Sequence, residues 1–468
     1  MTAPVAVELT RKPKAGIDER GPELLALDAG EQYRFAFAMD SCIGCHSCEV
    51  ACAEQNGLPP GTTWRRVGEI EGGSHPHTKR FHLSMSCNQC LEPACLTGCP
   101  TNAYEKLANG IVAHHADDCI GCQYCTWGCP YSVPVFQPDR RIVTKCDMCL
   151  PRLESGHAPA CVDACPTHAI TVEKVDTAAW RADPGEGDAP QLPSVALTLS
   201  TTRITLPAGM PADTYAASDW NIRPEDPHWP LVWLTLTSQL AFGVSATARA
   251  TGPRFLAAAV AGAALLGALL HLGRPVAAWK AFRNLRRSWL SREVALLSAY
   301  AALAALATVV PQAAVPAALV GAAGVYASAR VYTVPGRPAW DTRLTVVRFF
   351  ASAFALGSAI TGRPAMAAVG IAVALAATVL NWLRLRRRPD PAYAGAVRLE
   401  LGWFRSWSVA RFAAGGVAIA AVIAGAPVVV VLLGAAACEV IGRWLFYTAV
   451  VPLNMPGAFW RGAAGSHR

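Results

Sequence analysis

The sequence predicts a chain of two unlike parts: an α+β front module ordered around cysteine, then an all-α anchor of eight membrane-crossing helices. Three observations carry that prediction. Sixteen of the 17 cysteines fall between Cys42 and Cys165. Apolar stretches of about 20 residues, the length that crosses a bilayer, recur through residues 229–468. Charge divides at the same boundary: residues 1–228 hold 28 acidic and 18 basic side chains, a net of −10, whereas residues 229–468 hold 5 and 23, a net of +18. With 53% hydrophobic and 16% charged residues and a mean hydropathy of +0.28, the 468-residue chain falls outside the disordered, collagenous and small disulfide-rich classes. The overall +8 averages two opposite halves, so nucleic acid is not an expected partner.

Residues 1–34 read as a polar extension. No apolar run of roughly 7–15 residues follows a basic start, and no twin-Arg motif precedes an apolar stretch, so no export signal is expected. Disulfides are rare in a reducing compartment, and the cysteines then call for ligation instead.

Residues 35–170 hold those cysteines in four quartets. Cys42, Cys45, Cys48 and Cys52 follow C-x2-C-x2-C-x3-C. Cys87, Cys90, Cys95 and Cys99 follow C-x2-C-x4-C-x3-C and end at Pro100. Cys119, Cys122, Cys125 and Cys129 repeat the first spacing before Pro130, and Cys146, Cys149, Cys161 and Cys165 follow C-x2-C-x11-C-x3-C before Pro166. Thiolates ligate cubane iron–sulfur clusters, and in this pattern three sulfurs wrap one cluster while the fourth reaches its neighbour. The x2 gaps point successive sulfurs at one centre; the x3 gap starts a helix that carries the last one away, and proline suits the first turn of the next segment. Structural zinc would use paired knuckles without the repeated C-x3-C-P ending, and disulfide frameworks show no such regularity. Four [4Fe–4S] clusters are therefore expected.

CIGCHSCEVAC, SCNQCLEPACLTGCP, CIGCQYCTWGCPY and TKCDMCLPRLESGHAPACVDACP resemble the four-cluster electron-transfer subunit of the DMSO reductase family of molybdenum enzymes, over about residues 35–225. The resemblance implies a pseudo-symmetric pair of ferredoxin-like modules in which the first quartet crosses to the fourth and the second to the third. On that pattern Cys42, Cys45, Cys48 and Cys165 hold one cluster, and Cys52, Cys146, Cys149 and Cys161 another. Cys87, Cys90, Cys95 and Cys129 hold a third, and Cys99, Cys119, Cys122 and Cys125 the last. Related nitrate reductase subunits carry Trp at the position of Cys122 and hold a three-iron cluster there; Cys122 implies four cubanes.

Residues 171–228 read as a wrap-around tail and linker, with a Pro/Gly/acidic run (RADPGEGDAP) and a β-like stretch, VALTLSTTRITL. His75, His77, His114, His115, His157 and His168 lack ligand spacing and are expected on loops or the surface.

In residues 229–468 the eight expected spans are about 231–248, 255–272, 293–310, 313–332, 344–362, 364–383, 408–426 and 427–448. Their Ala, Gly and Val content suits helices packing closely in lipid. Trp229, Trp233, Trp289, Trp340, Trp382, Trp444 and Trp460 lie near span ends, as interfacial belts require. Glu439 and Arg443, four apart in the last span, invite an internal ion pair; Cys438 reads as a small buried residue. With eight spans, the loops after spans two, four and six and the C-terminus share a side with the cysteine module. Those segments, with Arg330 and Arg411 at the adjoining span ends, hold 18 Lys and Arg residues, against Arg249, Arg254 and Arg363 on the other side. The positive-inside rule then places the module in the cytoplasm, at the bacterial inner membrane. This departs from enteric DMSO reductase, whose cluster subunit faces the periplasm.

HWPLVWLTLTSQLAFG, HLGRPVAAWKAFRNLRRSWLSREV and CEVIGRWLFY resemble the membrane anchor subunit of the same family, which makes the chain similar to a fusion of two separate subunits. The resemblance implies a quinone site (menaquinone or ubiquinone) with His271 and Glu293 in quinol oxidation. Such a reaction releases protons that a His and a carboxylate can accept, and acids inside a membrane are functional candidates by default. Glu293 could equally cap span three. Arg286 and Arg287 are expected to hold lipid headgroups or the acidic module. The chain contains no Gly-rich nucleotide loop, activated serine or molybdopterin-binding region, so a separate molybdopterin-containing catalytic subunit is the implied partner, with lipid and quinone. Three functions are carried: electron transfer in a quinol-oxidising complex of DMSO reductase type, the same parts in a cytoplasm-facing sulfite:quinone oxidoreductase, and a proton-translocating energy-coupling subunit. Five acids line such a proton path poorly, which weighs against the third.

Overall fold

The structure, a computed structural model, describes residues 27–216, 222–388 and 390–456. Most of the N-terminal extension, Trp460, Arg461 and Arg468 lie outside the described residues.

The front module is built on two small sheets. β1 (Glu31–Ala38) alternates apolar residues inward, burying Phe35 and Phe37. β2 (Arg66–Gly72) and β3 (Lys79–Met85) pair antiparallel, Arg66 opposite Met85. Two short antiparallel hairpins follow, β4 (Tyr104–Lys106) with β5 (Val112–His114), and β6 (Val135–Gln137) with β7 (Ile142–Thr144). β8 (Ile170–Asp176) returns antiparallel to β1, β9 (Arg203–Thr205) joins β1 in parallel, and β10 (Thr214–Ala216) joins β2. The expected β-like stretch is therefore strand only over its last residues. Its first part pairs with the loop of the second quartet instead: Leu91 N–H donates to Leu199 O and Thr201 N–H to Asn88 O. Between residues 171 and 216 the chain thus pairs with both small sheets.

The expected ion pair of the last span is absent. Arg443 donates to Gln239 on another helix (2.8 Å) and Glu439 accepts from Ser352. Both side chains hold neighbouring helices together.

Eight long helices follow: α1 (Trp229–Thr247), α2 (Gly252–Leu269), α3 (Trp289–Val309), α4 (Ala314–Tyr332), α5 (Arg343–Ile360), α6 (Pro364–Arg386), α7 (Arg405–Ile423) and α8 (Val428–Thr448). Seven are long and apolar enough to cross a membrane; α1 is not among them. Its hydropathy is lowered by Thr235, Thr237, Ser238 and Gln239, all buried against other helices, so its polar face is turned inward. Neighbouring helices pack in sequence, and α1 also packs along α5. Between α7 and α8 the chain turns through Gly425, in the left-handed region (φ +65), and Pro427 caps α8.

Two helix ends depart from expectation. α3 starts at Trp289, because Ser288 caps it by accepting from Ser291 N–H (3.4 Å). Glu293 thus sits one turn inside the helix, 3% exposed, and is no cap. α2 ends at Leu269, so His271 lies in the turn beyond it. Trp340 is no belt residue: it is 1% exposed, stacks on Phe446 at 5.1 Å and donates to Phe446 O (2.7 Å). Trp229 and Trp233 stay exposed, as an interfacial belt requires.

Candidate functional site

Each quartet bends because the loop between its cysteines leaves ordinary backbone space. In the two C-I-G-C segments the same positions are left-handed: Gly44 (φ 68) and His46 (φ 60), Gly121 (φ 68) and Gln123 (φ 59). Short helices then start just before the third cysteine: Ser47–Gln55, Ala94–Gly98, Tyr124–Gly128 and Ala160–Asp163. Cys99 and Cys129 cap two of them with extended backbone, which carries those sulfurs away from their own quartet.

The folded module sorts the sixteen cysteines across quartets. Cys42 has Cys45 and Cys165 as neighbours, and these line one small cavity together with Cys48. Cys87, Cys90, Cys95 and Cys129 line another. Cys99 neighbours Cys119, Cys122 and Cys125, and Cys161 neighbours Cys52, Cys146 and Cys149. Cys48 also neighbours Cys161, Cys146 neighbours Cys87, and Tyr104 stands between Cys95 and Cys125. The four groups therefore form a file, ending at Cys99, Cys119, Cys122 and Cys125.

Burial first, then the neighbouring thiol Cys161, pushes Cys52 up to about 11; burial and Cys87 push Cys90 up to about 12. Ligation must therefore displace protons from these thiols. Several sulfurs already accept hydrogen bonds: Cys90 from Thr198 Oγ1 (3.2 Å), Cys99 from Ala103 N–H (3.3 Å) and Cys146 from Met148 N–H (3.3 Å). Donors to sulfur of this kind tune a cluster's potential. A lone threonine in a tail has no spacing signal, so sequence reasoning missed Thr198. His114 departs from the loop expectation: its ring lies 4.8 Å from Tyr104, and burial, then Lys145, lower its pKa to about 4.

The last group of the file sits on the anchor. Arg274 N–H donates to Ile120 O (3.0 Å) and Gly273 N–H to Gly121 O (3.4 Å), inside the loop between Cys119 and Cys122. Asn284 donates to Cys99 O (2.8 Å), Ser288 to Gly98 O (2.7 Å) and Ser291 to Pro100 O (3.2 Å). Lys280 and Arg283 both pair with Asp118 (3.2 and 2.6 Å), so these, and not Arg286 or Arg287, hold the acidic module. Tyr124 and Trp127 enter one apolar core with α1, α3, α4, α5 and α8.

His271 stands two residues before Gly273, at this same seam. His228, which caps α1, is among its charged neighbours and packs on Trp127 at 5.3 Å. Glu293 has Ser328 of α4 as a polar neighbour, and Tyr124 has both Glu293 and Cys122. Four buried atoms in this region complete no hydrogen bond: His228 Nε2, His271 Nδ1, Glu293 Oε1 and Ser328 Oγ. Orphaned polar atoms in a buried wall call for a polar ligand or water.

The comparisons with known proteins agree with this geometry. The 4Fe-4S dicluster domain family matches residues 78–175. The DMSO reductase anchor subunit (DmsC) family matches residues 227–383. A chain of the anaerobic dimethyl sulfoxide reductase of Haemophilus influenzae is 40% identical over 155 residues, 31% of this protein and 76% of that chain. This protein belongs to the family of DMSO reductase iron–sulfur subunits. The corresponding chain of the Escherichia coli reductase is 38% identical over 153 residues, 31% of this protein and 75% of that chain. A subunit of the sulfite dehydrogenase of Allochromatium vinosum is 36% identical over 160 residues, 30% of this protein and 67% of that subunit. Here the iron–sulfur subunit of the DMSO reductase family is fused to its membrane anchor, and the role of the chain is electron transfer at a membrane.

Proposed function

We propose that residues 35–170 hold four [4Fe–4S] clusters on the cysteine groups described above, that residues 171–228 strap this domain, and that residues 229–468 anchor it beside a quinone site. The clusters, when bound, supply one-electron carriage. The chain then links membrane quinone to a separate molybdopterin-containing catalytic subunit. The observation that supports the quinone site most is that both candidate residues lie beside the last cysteine group. His271 lies two residues from the backbone that pairs with the Cys119–Cys122 loop, and Tyr124 neighbours both Glu293 and Cys122. Quinol oxidation yields two protons with its two electrons; His271 and Glu293 are the groups we assign to accept them, and the buried atoms His271 Nδ1 and Glu293 Oε1 support that reading.

The test is His271→Ala in the assembled complex. Iron content and dye-linked turnover are expected unchanged, and quinol-linked turnover is expected to fall at least a hundredfold. Full quinol turnover in that variant would remove His271 from the site.

A second reading, oxidation of sulfite with quinone as acceptor, uses the same residues in reverse. The 18-to-3 distribution of basic residues, which favours a cytoplasmic module, supports it, as does the 36% identity to a sulfite dehydrogenase subunit.

A further inference from the structure

The front module buries two cations, and neither is held in an ion pair by a carboxylate among the described residues. Arg65 is 2% exposed; its guanidinium donates to Ser84 O (3.1 Å), Ser84 Oγ (3.2 Å) and Ser86 Oγ (3.0 Å), and lies over the Phe35 ring at 4.5 Å. Lys145 is 3% exposed; its ammonium donates to Val112 O and to Cys146 O (2.8 Å). Neither forms an ion pair among the described residues. Asp147, close to Lys145, is turned to accept from Cys149 N–H (2.9 Å).

An unpaired buried charge is costly, and native proteins place an opposite charge beside it. Here cysteine sulfurs supply it. Ser84 Oγ, which Arg65 contacts, lies 3.3 Å from Cys48 Sγ and lines the cavity of Cys42, Cys45, Cys48 and Cys165. The charged groups around Arg65 also include Cys161 and Cys146, of the adjoining group. Lys145 lines the cavity of Cys87, Cys90, Cys95 and Cys129, and its carbonyl partner Cys146 belongs to the group next in the file. Each cation thus stands between two groups: Arg65 between the first and second, Lys145 between the second and third.

We propose that Arg65 and Lys145 are potential-setting residues of the electron path, each raising the reduction potential of the two clusters it separates. Reducing a cluster adds one electron and one negative charge without a proton, so a fixed positive charge in a dry interior favours the reduced form. The second group feels both cations. The group beside the membrane is in contact with neither.

This inference rests on the reading of the cysteine groups as cluster ligands, and EPR-monitored redox titration of the assembled complex separates the two. If the unaltered protein lacks four titrating four-iron signals, that underlying reading fails. Given four signals, Arg65→Gln is expected to lower the first and second potentials and Lys145→Gln the second and third. Each shift should be of the order of a tenfold fall in the reduced-to-oxidised ratio at fixed ambient potential (59 mV for a one-electron couple). The double variant lowers the second potential most, and the membrane-side cluster is unmoved throughout. Unmoved potentials with intact iron, or an equal shift of all four, overturn the proposal. Where a neutral variant loses iron, Arg65→Lys and Lys145→Arg carry the test: potentials close to those of the unaltered protein support it, and falls as large as those expected on neutralisation overturn it.

Discussion

Gly121 and Gly273 touch where the front module meets the anchor. A Cβ on Gly121 would lie 2.4 Å from Arg141 O and 2.9 Å from Gly273 Cα, and its φ of +68 disfavours any side chain; one on Gly273 would lie 2.2 Å from Arg141 O. The obstacles are backbone, which cannot swing aside, so the seam admits no methyl group without moving the loop that carries Cys119 and Cys122. Gly121→Ala should therefore lower the thermal midpoint of the front module, at a cost of about 1–3 kcal/mol for overpacking, and slow quinol-linked turnover more than dye-linked turnover. An unshifted midpoint with full turnover would show that the loop adapts. At this scale the sequence speaks unevenly. The sixteen cysteines stand out by their spacing, Glu293 by the rarity of acids in the anchor, and His271 through the resemblance to the family's anchor subunit. Arg65, Lys145, Thr198, His228 and Ser328 do not, since a single cation or hydroxyl acquires its role only when the fold brings another segment against it.

Between elements, the tightest contact in the anchor is the crossing of α1 and α5. A Cβ on Gly243 would sit 1.9 Å from Ala353 O, and one on Gly357 2.1 Å from the Gly243 carbonyl carbon. The two backbones touch, as small residues permit in membrane helices, and the contact is bracketed by Thr247–Thr361 (2.8 Å) and Arg443–Gln239 (2.8 Å). Gly243→Val is expected to destabilise the bundle by a few kcal/mol, within or above the usual 1–3 for overpacking. Unfolding of the purified protein in detergent reads this as a lower midpoint for the helical signal, with the cluster absorbance lost at its original temperature. A joint shift of both signals would mean that the two parts unfold as one unit. Hydrophobic runs place the helices within a few residues because burial in lipid depends mainly on composition and length. They misplace the start of α3 because the polarity of Glu293 mimics a boundary that Ser288 in fact makes. They also overrate VALTLSTTRITL, whose β-branched residues serve hydrogen bonds to the second quartet's loop rather than a sheet.

Across the whole molecule, charge is arranged along the membrane normal. The acidic front half docks on the basic end of the anchor through Asp118 with Lys280 and Arg283, and through Glu225 with Arg337 (3.0 Å). Docking thus accounts for part of the positive charge at that end of the anchor, that of Lys280, Arg283 and Arg337. Arg286 and Arg287 are exposed and outside those ion pairs, and the proposed cytoplasmic orientation would set them against the inner leaflet. Protease added to intact spheroplasts should therefore spare the front module, and protease added to inverted vesicles should cleave it, with the loop after α2 protected in part by its contacts to Asp118. Cleavage in spheroplasts would place the module outside. The basic loops would then be serving the docked subunit alone, and the second reading, cytoplasm-facing oxidation of sulfite, would fall in favour of an outward-facing reductase on the same electron path.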